Sequence, residues 1–259
     1  MQQTQRTQKT QRTRPKVVAC IPCFNTEPFI ADVVSSTKKH VDQVIVIDDG
    51  SHDGTADAAR AAGALVVNHH TNMGYGEAIK SCFEAAKANA ADVLVILDGD
   101  GQHHPDEIPE LTAPILQGEA DLVVGSRFLQ TTQNYQLSTT NCQLATMPRY
   151  RKFGIGVITR LWNFASRVKV TDAQSGFRAY SKKIFENSSL SEKGMSISIE
   201  TLEKARRKGA IIKEVPISCF YIPSTLNFRA IRHGLSVALS VVRIRLKNSL
   251  SSLVRGNNA

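Results

Sequence analysis

The sequence lacks any uncharged apolar run of the roughly 18 residues that a membrane-spanning helix needs, and no apolar leader opens it. An integral membrane or secreted protein is therefore not expected. Cysteine is scarce and odd in number: Cys20, Cys23, Cys82, Cys142 and Cys219 sit mostly in apolar runs. That excludes a disulfide scaffold and fits a reduced, cytoplasmic protein. Aromatic residues are only 6% and are not interleaved with dense Lys/Arg clusters, so no nucleic-acid partner is expected. What remains is ordinary globular composition: 259 residues, 42% hydrophobic and 21% charged, long enough to bury a sizeable core.

The net charge of +9 is unevenly placed. Residues 1–16 carry Arg6, Lys9, Arg12, Arg14 and Lys16 with no acid, among repeated Gln and Thr. Such a stretch has little to bury and is predicted to be a disordered basic tail. It is either a solvated leader or an electrostatic tether to an anionic surface.

From Val17 onward short apolar runs recur: Val17–Ile21, Val44–Ile47, Ala64–Val67, Val93–Leu97 and Leu122–Val124. Continuous β-branched runs of this kind predict strands covered on both faces. Between them lie helix-length segments near 28–40, 55–62, 76–90 and 106–117, with Pro105-Asp106-Glu107 as a start signal for the last. The alternation predicts an α/β domain with a mostly parallel central sheet flanked by helices. Its ligands belong at the carboxyl ends of the strands. A long polar loop follows, 130–146, then a basic amphipathic segment from Pro148 to about Val168. A helix near 198–208, a strand at Ile211–Val215 and an amphipathic helix over 226–259 complete the expectation, with the domain proper over 17–225.

The chemistry points to Leu97-Asp98-Gly99-Asp100-Gly101-Gln102, where a buried strand ends in two carboxylates two residues apart. Like charges held so close repel unless a cation sits beside them, and hard oxygen ligands favour Mg²⁺ or Mn²⁺. A second acidic turn, Asp48-Asp49-Gly50-Ser51-His52-Asp53, offers acceptors to a base or ribose, or is an Asx turn with a helix cap. Pro22-Cys23-Phe24-Asn25-Thr26-Glu27 leaves the first strand in the same way. No Ser/His/Asp or Cys/His nucleophile set stands out. Cys20-Ile21-Pro22-Cys23 has redox spacing but spans a strand end, so neither redox nor zinc chemistry is expected of it. Of the histidine pairs His69-His70 and His103-His104, His104 is the one placed near the acidic turn.

Pro22…Asn25, Asp48 to Thr55, Asn72-Met73-Gly74, Asp98/Asp100/Gln102 with His104-Pro105, Gly125-Ser126-Arg127-Phe128 and Ser175-Gly176-Phe177-Arg178 occur in order. Together they resemble the inverting family 2 glycosyltransferases of GT-A fold, in the dolichol-phosphate mannose synthase-like branch. The resemblance covers about residues 15–225. It implies a nucleotide diphosphate sugar donor (GDP-mannose, UDP-glucose or UDP-GlcNAc) and a dolichyl or polyprenyl phosphate acceptor. Pro22 and Asp49 would contact the nucleoside, with Asn25 and Glu27 beside them. Asp98, Asp100 and Gln102 would hold the metal and diphosphate, with Asp100 catalytic, and Arg127 and Arg151 would face the acceptor phosphate, which they and Arg178 could clamp with bidentate bonds; Arg178 could equally form a structural ion pair, with Asp172 as one partner. Two departures stand out: Phe24-Asn25-Thr26 delays the family's acid to Glu27, and Ser224-Thr225-Leu226 lacks a basic residue, for which Arg229 or Arg232 is the expected substitute.

An acceptor that is a lipid phosphate needs no general base. A saccharide or soluble acceptor would, and Asp172 or Glu200 would be its base; a non-catalytic nucleotide-sugar-binding adaptor is the third alternative. With a lipid acceptor and no spanning helix, the chain is expected to work peripherally on the cytoplasmic face of an anionic membrane. Its contact would be the helix after Phe228, with Leu235, Leu239, Val242 and Leu246 on one side and Arg232, Arg243 and Lys247 reaching headgroups; alternatively, that apolar stripe packs on the catalytic core.

Overall fold

The computed structural model describes residues 14–129, 147–164, 166–186, 188–220, 239–240 and 243. Its elements run β1 (Val17–Cys23), α1 (Glu27–Thr37), β2 (Gln43–Asp48), α2 (Thr55–Ala61), β3 (Leu65–Asn68), α3 (Tyr75–Ala88), β4 (Val93–Ile96) and α4 (Ile108–Leu116). β5 (Leu122–Ser126), α5 (Arg149–Asn163), β6 (Arg178–Ser181), α6 (Lys182–Phe185), α7 (Ile197–Arg207) and β7 (Ile212–Pro216) follow.

The seven strands form one sheet in the order β3-β2-β1-β4-β6-β5-β7. All neighbours are parallel except β6, which runs antiparallel between β4 and β5. The period of two decides the layers. Val18, Cys20, Ile45, Ile47, Leu94 and Ile96 face one core with Phe83 of α3, Trp162 of α5 and Leu202 of α7. Ala19, Ile21, Val44, Val46, Val95 and Leu97 face the other, with Ile30 of α1, Ala59 of α2 and Leu111 of α4. This is the expected α/β architecture with helices on both faces.

One expectation needs correction, and one strand was not foreseen. β3 is not covered on both faces: it is the sheet edge, and Leu65 and Val67 are exposed. β6 is a strand that no apolar run announced, because it opens on an arginine. At the entry to β1, Arg14 pairs with Asp42, and Lys16 donates from its backbone N to Asp92 Oδ2 at 2.7 Å. The segment 130–146 and nearly all of 226–259, including Arg229, lie outside the described residues. Of the terminal helix, Leu239, Ser240 and Arg243 are described, and Arg243 pairs with Glu192 at 2.6 Å, on the chain leading into α7.

Candidate active site

β1, β2, β4 and β5 all end at one edge of the sheet, and each ends in polar residues. Antiparallel β6 begins there, with Ile96 of β4 and Val124 of β5 both registered on Arg178. The reversal therefore brings the loop Asp172–Phe177 to the edge where the four parallel strands stop.

The acidic turn after β4 sits at the centre. Asp98 takes up a half-buried position beneath Gly176: a Cβ on that glycine would lie 2.9 Å from Asp98 Oδ2 and 3.2 Å from the Tyr75 hydroxyl. Enclosure by the surrounding protein raises the Asp98 carboxyl to about 6, against the opposing pull of Arg127 and of a hydrogen bond from Tyr75. Asp100 is raised as well, first by burial and then by the negative charge of Asp98. Asp100 accepts from the backbone N of Gln102 at 3.0 Å and from its side-chain Nε2 at 2.7 Å. Gln102, expected at the metal, here orients Asp100.

The histidine at this turn is His103 and not His104. Its Nδ1 accepts the Asp98 backbone N–H at 3.2 Å, and its ring packs against Phe177 with centroids 5.2 Å apart. Burial lowers its pKa to about 4, so it is neutral, as an accepting Nδ1 requires. His104 lies instead beside Asp106, at 3.6 Å.

The turn after β2 is cross-braced to its neighbours. Asp49, buried, accepts from His69 Nδ1 at 2.7 Å, Met73 N at 2.9 Å and Gly74 N at 2.7 Å. His69 Nε2 in turn pairs with the Ser81 hydroxyl at 2.8 Å. This Ser–His–Asp chain escaped the sequence analysis because its members come from three separate elements. Its carboxylate is committed to the 73–74 turn, so the chain serves to fix Asp49. Gly50 adopts φ +74°, and a Cβ there would lie 2.5 Å from the Thr71 carbonyl carbon, so only glycine lets the two turns meet.

Asn25 and Glu27 brace the same region. Asn25 Oδ1 accepts from His52 N at 2.9 Å and its own N donates to Ser51 Oγ at 2.9 Å, while Glu27 Oε2 accepts from Gly54 N at 3.0 Å. Both side chains spend acceptors on the loop that they were expected to accompany around the nucleoside. Pro22 is buried, and its carbonyl accepts Gly99 N at 3.4 Å, tying the end of β1 to the acidic turn. Cys23 is also buried and its thiol is pushed up to about 12 by that burial and by Asp48.

The three arginines separate. Arg127 pairs with Asp172, Nε to Oδ2 at 2.7 Å and Nη2 to Oδ1 at 2.9 Å. Asp172 is therefore the partner of Arg127 and not of Arg178. Arg178 is 1% exposed and donates to the carbonyls of Ala173, Ser175 and Ser198 and to Thr201 Oγ1. These contacts clamp the 173–175 loop to α7, the structural alternative to a ligand-binding role for Arg178. Arg151 lies half-buried on the first turn of α5, whereas the cations lining the open groove beside that helix are Arg149, Lys152 and Arg160.

No group of three or more His, Cys, Asp or Glu able to hold a metal ion forms among the described residues. Asp98 and Asp100 nevertheless fit a hard divalent cation: two carboxylates, each raised by enclosure and one by the other, gain most from a neighbouring positive charge. Two oxygens from protein also match ions that take the rest of their shell from water and phosphate.

The family model described as Glycosyl transferase family 2 matches residues 18–188. The chain is 29% identical to the UDP-N-acetylglucosamine–dolichyl-phosphate N-acetylglucosaminyltransferase of Methanococcus voltae, over 78% of this chain and 84% of that one. It is 30% identical to the polyprenol monophosphomannose synthase of Mycolicibacterium smegmatis, over 78% and 77%. Among solved structures, glucosyl-3-phosphoglycerate synthase from Mycobacterium tuberculosis in complex with Mn²⁺ and UDP-glucose shares the fold, with a TM-score of 0.66 at 22% identity. That likeness covers 88% of this chain and 78% of the other.

Proposed function

The chain belongs to glycosyl transferase family 2, and on that premise we propose that it moves a hexose or N-acetylhexosamine, with inversion, from a nucleotide diphosphate sugar to a polyprenyl phosphate. The relatives named for dolichyl-phosphate and polyprenol substrates support that acceptor class.

The observation that carries the proposal is the state of the two candidate bases. Asp172 is fully buried and bonded twice to Arg127. Glu200 accepts from Ser191 N at 2.9 Å, Glu192 N at 2.7 Å and Lys204 Nζ at 2.7 Å, and hydrogen bonds outweigh burial to lower its carboxyl. Neither is poised to take a proton from a sugar hydroxyl. A phosphate monoester is already anionic at neutral pH and needs no such base.

Asp98 and Asp100 would hold Mg²⁺ or Mn²⁺, which when bound neutralises the leaving diphosphate. The protein's own share is positioning. Asp49, fixed by His69 and the 73–74 turn, would shape the nucleoside side; Tyr75 and His103 hold Asp98; Gln102 holds Asp100; and Arg127, whose charge acts on Asp98, would face the acceptor phosphate. Among the described residues no helix is long and apolar enough to cross a membrane, and the proposed place of work is peripheral, on the cytoplasmic face.

The test is a donor screen of GDP- and UDP-sugars with Mg²⁺ or Mn²⁺ against a short polyprenyl phosphate, a soluble phosphate such as phosphoglyceric acid, and a saccharide. Transfer to the polyprenyl phosphate with inversion is expected. Transfer to the soluble acceptors alone would replace the acceptor assignment, and binding of donor without hydrolysis or transfer would make the chain an adaptor.

A further inference from the structure

The outward face of α5 takes no part in the chemistry above. Arg149, Lys152, Phe153, Arg160, Leu161 and, at the C-cap, Phe164 are all exposed and by the 3.6-residue repeat fall on one side of the helix, so they form one face along it. Phe153 is 72% exposed and Phe164 78%. The opposite stripe, Ile155, Ile158, Thr159 and Trp162, is buried and fastens the helix to the sheet, so the outward phenylalanines are not needed for packing. Charge here is of one sign. From Pro148 to Thr171 the chain carries Arg149, Arg151, Lys152, Arg160, Arg167 and Lys169 and no acid. An open groove of about 560 Å³ runs beside the stripe, walled by Phe153, Lys152 and Arg160 and by Phe128 and Thr171.

We propose that this face of α5 is a docking surface for a bilayer carrying anionic lipids. Phe153, Leu161 and Phe164 enter the boundary between headgroups and acyl chains, and Arg149, Lys152 and Arg160 meet the lipid phosphates. Charge complementarity selects this occupant: the same stripe on a second copy would oppose cation to cation, whereas an anionic leaflet attracts every charge on it. Phe128 and Thr171 are the chain neighbours of Arg127 and Asp172, so docking turns the groove beside that ion pair toward the membrane. Only this last consequence rests on the proposed acceptor; the docking itself does not.

The test is cosedimentation of the full chain with phosphatidylcholine vesicles, with or without about 40% phosphatidylglycerol, at about 50 mM salt and with no donor or acceptor present. Pelleting with the anionic vesicles is expected, with release at about 0.5 M salt. Phe153→Ser combined with Phe164→Ser should weaken the apparent vesicle affinity at least about tenfold. Arg149→Gln, Lys152→Gln and Arg160→Gln together should remove the preference for phosphatidylglycerol. Unchanged melting temperatures establish that both variants fold. Wild-type binding by both variants, or no binding of the parent chain, overturns the proposal. A parent dimer that the phenylalanine variant dissociates, seen by sedimentation velocity, also overturns it and assigns the face to a second copy. Because no sugar is transferred in the measurement, its failure is distinct from failure of the transferase assay.

Discussion

Arg127 closes on Asp172 through two side-chain bonds, and Asp172 is wholly buried while Arg127 keeps a partly open edge. The arginine proposed to face the acceptor phosphate is thus also the counter-ion of a buried carboxylate. Arg127→Ala should cost about 3 kcal/mol of stability, because it strands that charge, as well as raising the KM for acceptor. Denaturant unfolding separates the two effects. Arg127→Ala with Asp172→Ala should recover much of the stability and none of the acceptor KM. If the double variant regains the KM, Arg127 acts on the acceptor only through the fold.

Asp100 is raised by burial and by Asp98, so neutralising it relieves repulsion in the metal-free chain. Asp100→Asn should leave the melting temperature unchanged or higher and reduce turnover by orders of magnitude, and chelation of the parent should reproduce the loss. Full activity in EDTA would contradict the role of the Asp98/Asp100 pair.

His69 supplies one of the three donors on buried Asp49. His69→Ala removes it, at a cost of about 1–3 kcal/mol, and loosens the carboxylate nearest the proposed nucleoside site. The expected kinetic signature is a raised KM for the nucleotide sugar with the acceptor KM unmoved. A uniform loss in kcat alone would refute the assignment.

Glu107 lies under the chain that leaves β7. Its Oε1 accepts from Ser218 N at 2.7 Å, but burial dominates and raises its pKa to about 7. The folded chain therefore keeps a proton that the unfolded chain releases near the ordinary value of 4.5. Its protonation linkage leaves stability full at the acid end of that window and lowers it as pH rises toward about 7, by on the order of 2–3 kcal/mol. Glu107→Gln keeps an acceptor for Ser218 and should flatten this part of the profile. Urea midpoints of the two chains across that range provide the check, and parallel curves would count against it.

The strands that sequence made legible are those with apolar residues on both faces: β1, β2, β4 and β5. β3 shares their composition but not their burial, because its position at the edge is a property of strand order. β6 carries no apolar run, and its first residue is an arginine whose charge is met by carbonyls of the loop just before it and of α7. The two-residue spacing of Asp98 and Asp100 was visible because it is local. Tyr75, His69 and His103 were not assigned to the site because their contacts arise only when α3 and the strand-end loops converge. The choice of Arg127 over Arg178 as the partner of Asp172 is likewise tertiary: both arginines are near Asp172 in space or sequence, and burial of Arg178 under α7 decides it.

Gly176 offers the sharpest separation of fold from chemistry. It stands where the antiparallel β6 delivers its preceding loop against Asp98. A methyl group there would lie 2.9 Å from Asp98 Oδ2 and 3.2 Å from the Tyr75 hydroxyl, closer than carbon normally approaches either. The atoms it meets are the free ends of side chains and not backbone. Gly176→Ala is therefore expected to fold, with the strain relieved by rotation of the Asp98 carboxylate. That rotation disturbs the one carboxylate held by both Tyr75 and the His103 turn, so Mn²⁺ affinity and turnover should fall together by about tenfold or more. Titration of Mn²⁺ by electron paramagnetic resonance reads the first without any substrate. A variant with the parent's melting temperature, Mn²⁺ affinity and turnover would show that the close approach of this loop does not set the geometry of Asp98.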